Sequence, residues 1–250
     1  MPFTFCHPAI VLPLNKVIKQ RLSLTGLIIG SITPDFEYFI RMEDKRIYTH
    51  TWIGLLYYDI ALGILLAFIF HNIVRDPLIN NLPKWLQGRL RLYKHFNWNI
   101  RFRKRWPSII ISFIIGGISH FFWDAFTSES GYFTLQISTL KATHIVAGIP
   151  IEGHMIVQVL SSLIGGIIIF YAIWQLPFHH QTQISIKPSK YWVIFVLIAF
   201  AIYMLRMLIV PTATEIEDFI IPAVSASLFS LILTPLFLKH NYSHSNKKRK

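Results

Sequence analysis

Residues 108–126 read SIIISFIIGGISHFFWDAF, a run with one carboxylate, one histidine and no lysine or arginine. A run of this length matches the about 20 apolar residues an α-helix needs to cross a bilayer, where hydrocarbon offers backbone polar groups no partner outside the helix. Four more runs share this character, at residues 51–71, 154–176, 191–210 and 219–238. The expected fold class is all-α, a polytopic membrane helical bundle of five long transmembrane helices.

The composition of the 250-residue chain agrees. It is 53% hydrophobic and 14% charged, whereas an ordinary soluble domain carries about a quarter charged residues to cover its surface. The charge is also lopsided, with 24 Lys and Arg against 12 Asp and Glu. Eight of the basic residues lie between Lys84 and Arg105, Lys187 and Lys190 follow the third run, and the chain ends Lys247-Lys248-Arg249-Lys250. The alternate loops, 127–153 and 211–218, are poor in basic residues, and the second holds Glu215, Glu217 and Asp218. By the positive-inside rule the basic loops and the C-terminus are cytoplasmic. No nucleic-acid-binding signature accompanies the basic clusters, so the excess of charge points to membrane lipid rather than nucleic acid. Cys6 is the one cysteine, which excludes an intrachain disulfide and a cysteine-rich zinc site. No basic region precedes the first apolar stretch, so the hydrophobic segments themselves are expected to direct insertion.

Ahead of the five runs, residues 7–17 and 22–39 form two shorter apolar stretches separated by Lys16, Lys19, Gln20 and Arg21. They read as an N-terminal helical hairpin with a basic turn, its first arm re-entrant or tilted because it is short for a crossing. A single membrane domain is expected over residues 1–239, with the hairpin in 1–49 and the main spans in 51–238, followed by a disordered basic tail at 240–250. Gly26 and Gly30 make a small-xxx-small pair that either admits a close helix or is unremarkable.

The sharpest chemical signal is His120-Phe-Phe-Trp-Asp124, because residues four apart share a helix face and can reach one metal ion. A structural His–Asp hydrogen bond is the competing reading. With the basic turn on the cytoplasmic side, His7, Asp35 and His50 return to the outer level that His120 and Asp124 also occupy. Three imidazoles and two carboxylates there suit zinc, manganese or iron, and such a centre lowers the pKa of a coordinated water for hydrolysis. Glu37 is a further ligand or base, or a solvated interfacial carboxylate. His144, His154 and Glu152 are read as interfacial, with a second metal position as the alternative. Asp59, nine residues from His50, faces the opposite side of its helix, and Arg206 is its candidate partner. His71 and Arg75 are read as structural.

Met1-Pro2-Phe3-Thr4 with His7-Pro8, Gly30-Ser31-Ile32-Thr33-Pro34-Asp35-Phe36-Glu37-Tyr38, His50 and Ser119-His120-Phe-Phe-Trp-Asp124 together resemble a bacterial membrane family, the domain of unknown function 4184. That resemblance covers most of the chain and implies a bacterial cytoplasmic membrane protein. The order His, Pro-Asp, Thr-His, His-x-x-x-Asp more remotely resembles membrane-bound metal-dependent hydrolases and zinc-dependent phospholipases C. It implies His7, Asp35, His50, His120 and Asp124 as ligands of a divalent metal, zinc among the choices, although other ligands of the soluble phospholipases have no counterpart here. The expected function is a membrane-embedded metal-dependent hydrolase of phosphodiester or lipid substrates. The alternative is a non-enzymatic membrane protein with a structural His/Asp cluster; a transporter would need more polar residues at depth than Asp59 and Arg206.

Overall fold

The computed structural model describes residues 3–17, 21–94, 96–179, 188–210 and 214–247. Lys19 and Gln20 of the expected basic turn, Lys187, the start of the loop at Pro211 and the terminal Lys248-Arg249-Lys250 lie outside the described residues, as do Met1 and Pro2. Among the described residues, five helices are long and apolar enough to cross a membrane: Trp52–Asn81, Trp98–Gln136, Gly153–Trp174, Pro188–Ile209 and Glu217–Lys239. The all-α architecture inferred from hydropathy therefore stands.

The helices outrun the apolar cores that signal them. The first continues ten residues past His71 and contains two wider π-helical turns, Leu55–Asp59 and Phe70–Val74. The second is one continuous helix from Trp98 to Thr127, with a kink at Arg105 (φ −135°, ψ 22°), and a short helix, Tyr132–Gln136, closes the span. Pro107 explains the kink: its ring lacks an N–H and collides with the carbonyl four residues earlier. The last helix is described as far as Lys247.

Backbone packing gathers the chain into two compact units. The first comprises residues 1–35, 48–64 and 101–175. Its N-terminal hairpin consists of the helices Pro8–Val17 and Leu24–Ile32. The ten residues of the first rise only about 15 Å. Ser23 caps the second, its hydroxyl accepting from Gly26 N–H at 3.2 Å, while its own N–H donates to Ser112 Oγ at 2.8 Å. That second hairpin helix lies against the second span with almost nothing between the backbones. A β-carbon on Gly26 would sit 2.7 Å from Ser112 Cβ, one on Gly116 would sit 2.5 Å from the Leu27 carbonyl oxygen, and one on Gly30 would strike the backbone of Phe113. The Gly26/Gly30 pair is thus a packing device. The Gly153–Trp174 helix completes this side, with Gly165 against Cys6 and Trp123, and Trp123 Nε1 donating to Ser161 Oγ at 3.1 Å.

One strand pair in this unit has no forerunner in the hydropathy pattern. Thr143–Val146 and Ile149–Glu152 pair antiparallel, with Val146 opposite Ile149. The two connecting residues, Ala147 (φ 52°) and Gly148 (φ 83°), both have positive φ, as a tight two-residue hairpin turn demands.

The second unit comprises residues 36–47, 65–100 and 176–250. The last two spans pack together along buried Ser225, Ser230 and Thr234, with Ser230 Oγ donating to the Phe195 carbonyl at 2.7 Å. Arg75 anchors the turn before the second span by donating to the carbonyls of Phe96 (2.8 Å) and Lys94 (3.1 Å), and it also meets Asp76 and His71. His71 stacks on Trp98 at 4.7 Å. The structural reading of His71 and Arg75 fits these contacts.

Gly30→Ala tests the glycine contact with a clear sign. Helix propensity alone favours alanine by about 1 kcal/mol, whereas overpacking against the Phe113 backbone costs about 1–3 kcal/mol. A lower Tm of the detergent-purified variant is expected; a raised one would remove the close approach.

Candidate metal centre

The site lies wholly within the first unit and draws on three separated segments. Asp35 closes the single turn Thr33–Asp35 that follows the glycine-packed hairpin helix. His50 stands just before Thr51, whose side chain caps the first span by accepting from Gly54 N–H at 2.8 Å. His120 and Asp124 project one turn apart near the C-terminal end of the second span. His50 has φ 59°, a left-handed conformation that costs a non-glycine residue on the order of 1–3 kcal/mol and needs surroundings that enforce it.

Four atoms meet: Asp35 Oδ1, His50 Nε2, His120 Nε2 and Asp124 Oδ2, all within 4.8 Å of one another. His50 Nε2 is 3.3 Å from Asp124 Oδ2, 3.4 Å from Asp35 Oδ1 and 3.3 Å from His120 Nε2. His120 Nε2 is 3.4 Å from both carboxylate oxygens. Ligand atoms at the corners of a tetrahedron around an ion, with bonds of about 2.1 Å, stand about 3.4 Å apart.

Hydrogen bonding accounts poorly for the same atoms. N–H···O bonds cluster at about 2.9–3.0 Å, and the two Nε2 atoms supply at most two protons for five close approaches. His120 supplies none in its neutral form. Its Nδ1 lies 2.9 Å from the Ser31 carbonyl, which can only accept, so Nδ1 carries the proton and Nε2 presents its lone pair to the cluster. Metal-binding histidines are held in this way, through the nitrogen that does not bind. Thr4 Oγ1 donates to Asp35 Oδ2 at 2.6 Å, which leaves Oδ1 turned inward. Asp35 and His120 are completely buried. The cluster can hold a metal ion.

The family model described as "Domain of unknown function (DUF4184)" matches residues 1–236. The chain belongs to this family. No curated protein and no solved structure matches it. In this DUF4184 chain, each atom of the cluster and its supports at Thr4 and Ser31 fall inside the matched range.

Of the five residues expected as ligands, four converge. His7 lies beside them, fully buried, its ring stacked on His120 with centroids 4.0 Å apart and its Nε2 3.7 Å from Asp124 Oδ1. Glu37 corrects an expectation. It is completely buried rather than solvated, accepting from Arg41 Nε at 2.8 Å and Ile47 N–H at 2.9 Å, a short loop closed on its own carboxylate. Arg206 pairs with Glu43 at 3.5 Å. His144 Nε2 donates to the Thr139 carbonyl at 2.8 Å, and His154 pairs with Glu152 at 3.2 Å, so both are engaged locally.

Thr4 and Ser31 were visible only as parts of longer motifs. The usable sign for Thr4 is a hydroxyl three residues before His7 on a short turn; the Ser31 contact runs through a carbonyl, which no residue type announces. Thr4→Val, which keeps shape and removes the donor, is expected to weaken metal affinity by about 10–100-fold. Competition against a chromophoric chelator measures this, and unchanged affinity would deny Thr4 the role of orienting Asp35.

Proposed function

We propose that this chain is a membrane-embedded, metal-dependent hydrolase acting on phosphodiester or lipid substrates. The observation that supports it is the set of two imidazole nitrogens and two carboxylate oxygens, five of whose six mutual distances are 3.3–3.4 Å and all of which lie within 4.8 Å of one another. An N₂O₂ donor set suits zinc, with manganese and iron as alternatives. Asp35, His50, His120 and Asp124 would hold a divalent ion, which would contribute Lewis-acid chemistry: an activated water nucleophile at neutral pH and polarisation of the bond to be broken.

The protein's own groups define the rest. Asp35 and Asp124 balance the ion's charge, His120 and His50 fix its position, and Ser31 and Thr4 fix the orientation of His120 and Asp35. His50 and Asp124 form the accessible edge, their side chains 12% and 9% exposed against 0% and 1% for His120 and Asp35. Aromatic rings flank that edge: Phe121 is 5.9 Å from the His50 ring and 5.6 Å from Trp52, which is itself exposed. An apolar lip beside an ion favours a substrate with acyl chains next to a polar head. The segment from Pro107 to Asp124 rises about 26 Å, close to the about 30 Å of the hydrocarbon core. With the basic residues Arg101 to Arg105 cytoplasmic, Asp124 then stands near the outer interface of the bacterial cytoplasmic membrane, with the C-terminus inside. The order of His, Pro-Asp, Thr-His and His-x-x-x-Asp, similar to that of metal-dependent hydrolases, adds support.

A second reading is favoured by the closure of the ligand set. Four protein atoms around one ion are the usual mark of a structural site, whereas catalytic sites keep a position open. A structural centre would join the hairpin, the His50 loop and the second span without turnover.

Elemental analysis of chelator-free, detergent-purified protein separates these cases when combined with hydrolysis assays on a phosphodiester and on phospholipid vesicles. The wild type is expected to carry metal and turn over at least one substrate, with both properties lost in His120→Ala and Asp35→Ala. Metal without turnover favours the structural centre. A folded wild type that takes up no zinc, manganese or iron on reconstitution overturns both.

A further inference from the structure

Asp124 spends only one of its oxygens on the four-atom cluster. Oδ2 faces His50 and His120, while Oδ1 is buried with no hydrogen-bond partner among the described residues. Opposite Oδ1 stands His7, 0% exposed, and both of its ring nitrogens also lack a hydrogen-bond partner among the described residues. A buried polar atom left unsatisfied costs about 1–3 kcal/mol, and two such atoms, His7 Nε2 and Asp124 Oδ1, face each other here. The 3.7 Å between His7 Nε2 and Asp124 Oδ1 exceeds hydrogen-bond length. It is the distance spanned when both atoms bind one ion at about 2.1 Å with an angle of about 120° between them.

The stacking of the two rings fixes where that ion sits. His7 and His120 lie nearly parallel, 23° apart with centroids separated by 4.0 Å, and each turns its Nε2 to a different oxygen of the same carboxylate. Two parallel imidazoles so placed aim at neighbouring points, and ions bridged in two-metal sites are about 3.5–4 Å apart.

We propose that His7 and Asp124 Oδ1 hold a second divalent cation, bridged by Asp124 to the ion of the four-atom cluster. This rests on the metal-centre reading and deepens it. The first position is filled by four protein atoms, but the second has two, so its remaining positions belong to water and substrate oxygens. Divalent ions with one or two protein ligands are completed in this way by phosphate oxygens. The class of substrate that fits is therefore a phosphate ester, with one non-bridging oxygen on the second ion. His7 is its dedicated ligand, and Asp124 the ligand that the two positions share.

Titration of metal-free, detergent-purified wild type with Mn²⁺, followed by electron paramagnetic resonance, tests this. Two equivalents are expected to bind and to give the broadened multiline signal of an exchange-coupled pair. His7→Gln is expected to bind one equivalent and to show the six-line spectrum of an isolated ion. Wild type that saturates at one equivalent with a six-line spectrum overturns the second position and leaves the first intact. Wild type that binds none removes the metal-centre reading and this proposal with it. Should His7→Gln fail to fold, the wild-type stoichiometry and spectrum decide alone.

Discussion

Two carboxylate oxygens, Asp35 Oδ1 and Asp124 Oδ2, lie within 4.8 Å of one another in a site where Asp35 is fully enclosed. At an effective dielectric of about 20, two unit negative charges that close repel by on the order of 3 kcal/mol, before the larger cost of taking each out of water is counted. The two imidazole Nε2 atoms, each 3.3–3.4 Å from both oxygens, are the protein groups set between them, and the Ser31 carbonyl holds His120 there. Positive charge between the carboxylates, whether an imidazolium or a bound cation, offsets that cost, and much of the surrounding structure holds these four side chains together. Glycine contacts bring the hairpin helix onto the second span, so that the Ser31 carbonyl reaches His120 and Asp35 arrives one turn later. The left-handed backbone at His50 carries strain that a free loop would relax.

How much of this was legible in the sequence follows from what each feature depends on. The five spans depend on hydropathy summed over about 20 residues, and all five appeared. Their ends depend on whether helical hydrogen bonding continues into polar flanks, which hydropathy does not measure; hence the extension to Asn81 and the helical start at Trp98 ahead of Pro107. The strand pair at 143–152 is set by two positive-φ turn residues, Ala147 and Gly148, and alanine is a poor advertisement for such a turn.

The candidate site was readable because its ligands are residue types that a bilayer segment rarely tolerates. His120 and Asp124 announced themselves by spacing, and Asp35 and His50 by their position at helix ends. Glu37 shows the limit of that logic. It lies two residues from Asp35 at the same kind of boundary, yet its carboxylate turns to Arg41 and the Ile47 N–H. A basic residue four positions on, Arg41, was the available sign that Glu37 had a local partner.

Sequence also could not divide labour within one side chain. HxxxD marks Asp124 as a ligand but treats its carboxylate as a single point. The structure gives its two oxygens different neighbours, Oδ2 the His50/His120 pair and Oδ1 the stacked His7. That asymmetry makes His7 chemically distinct from the other two histidines: His120 is held by a backbone carbonyl and His50 approaches the Thr49 hydroxyl, while among the described residues the His7 ring meets the rings of His120 and Trp123 and one carboxylate oxygen. A residue buried so completely for packing alone would more economically be a leucine or phenylalanine, since an apolar ring leaves no nitrogen unsatisfied. An imidazole at this position needs a partner for its nitrogens, and Asp124 Oδ1, 3.7 Å from Nε2, is the polar atom that stands opposite one of them.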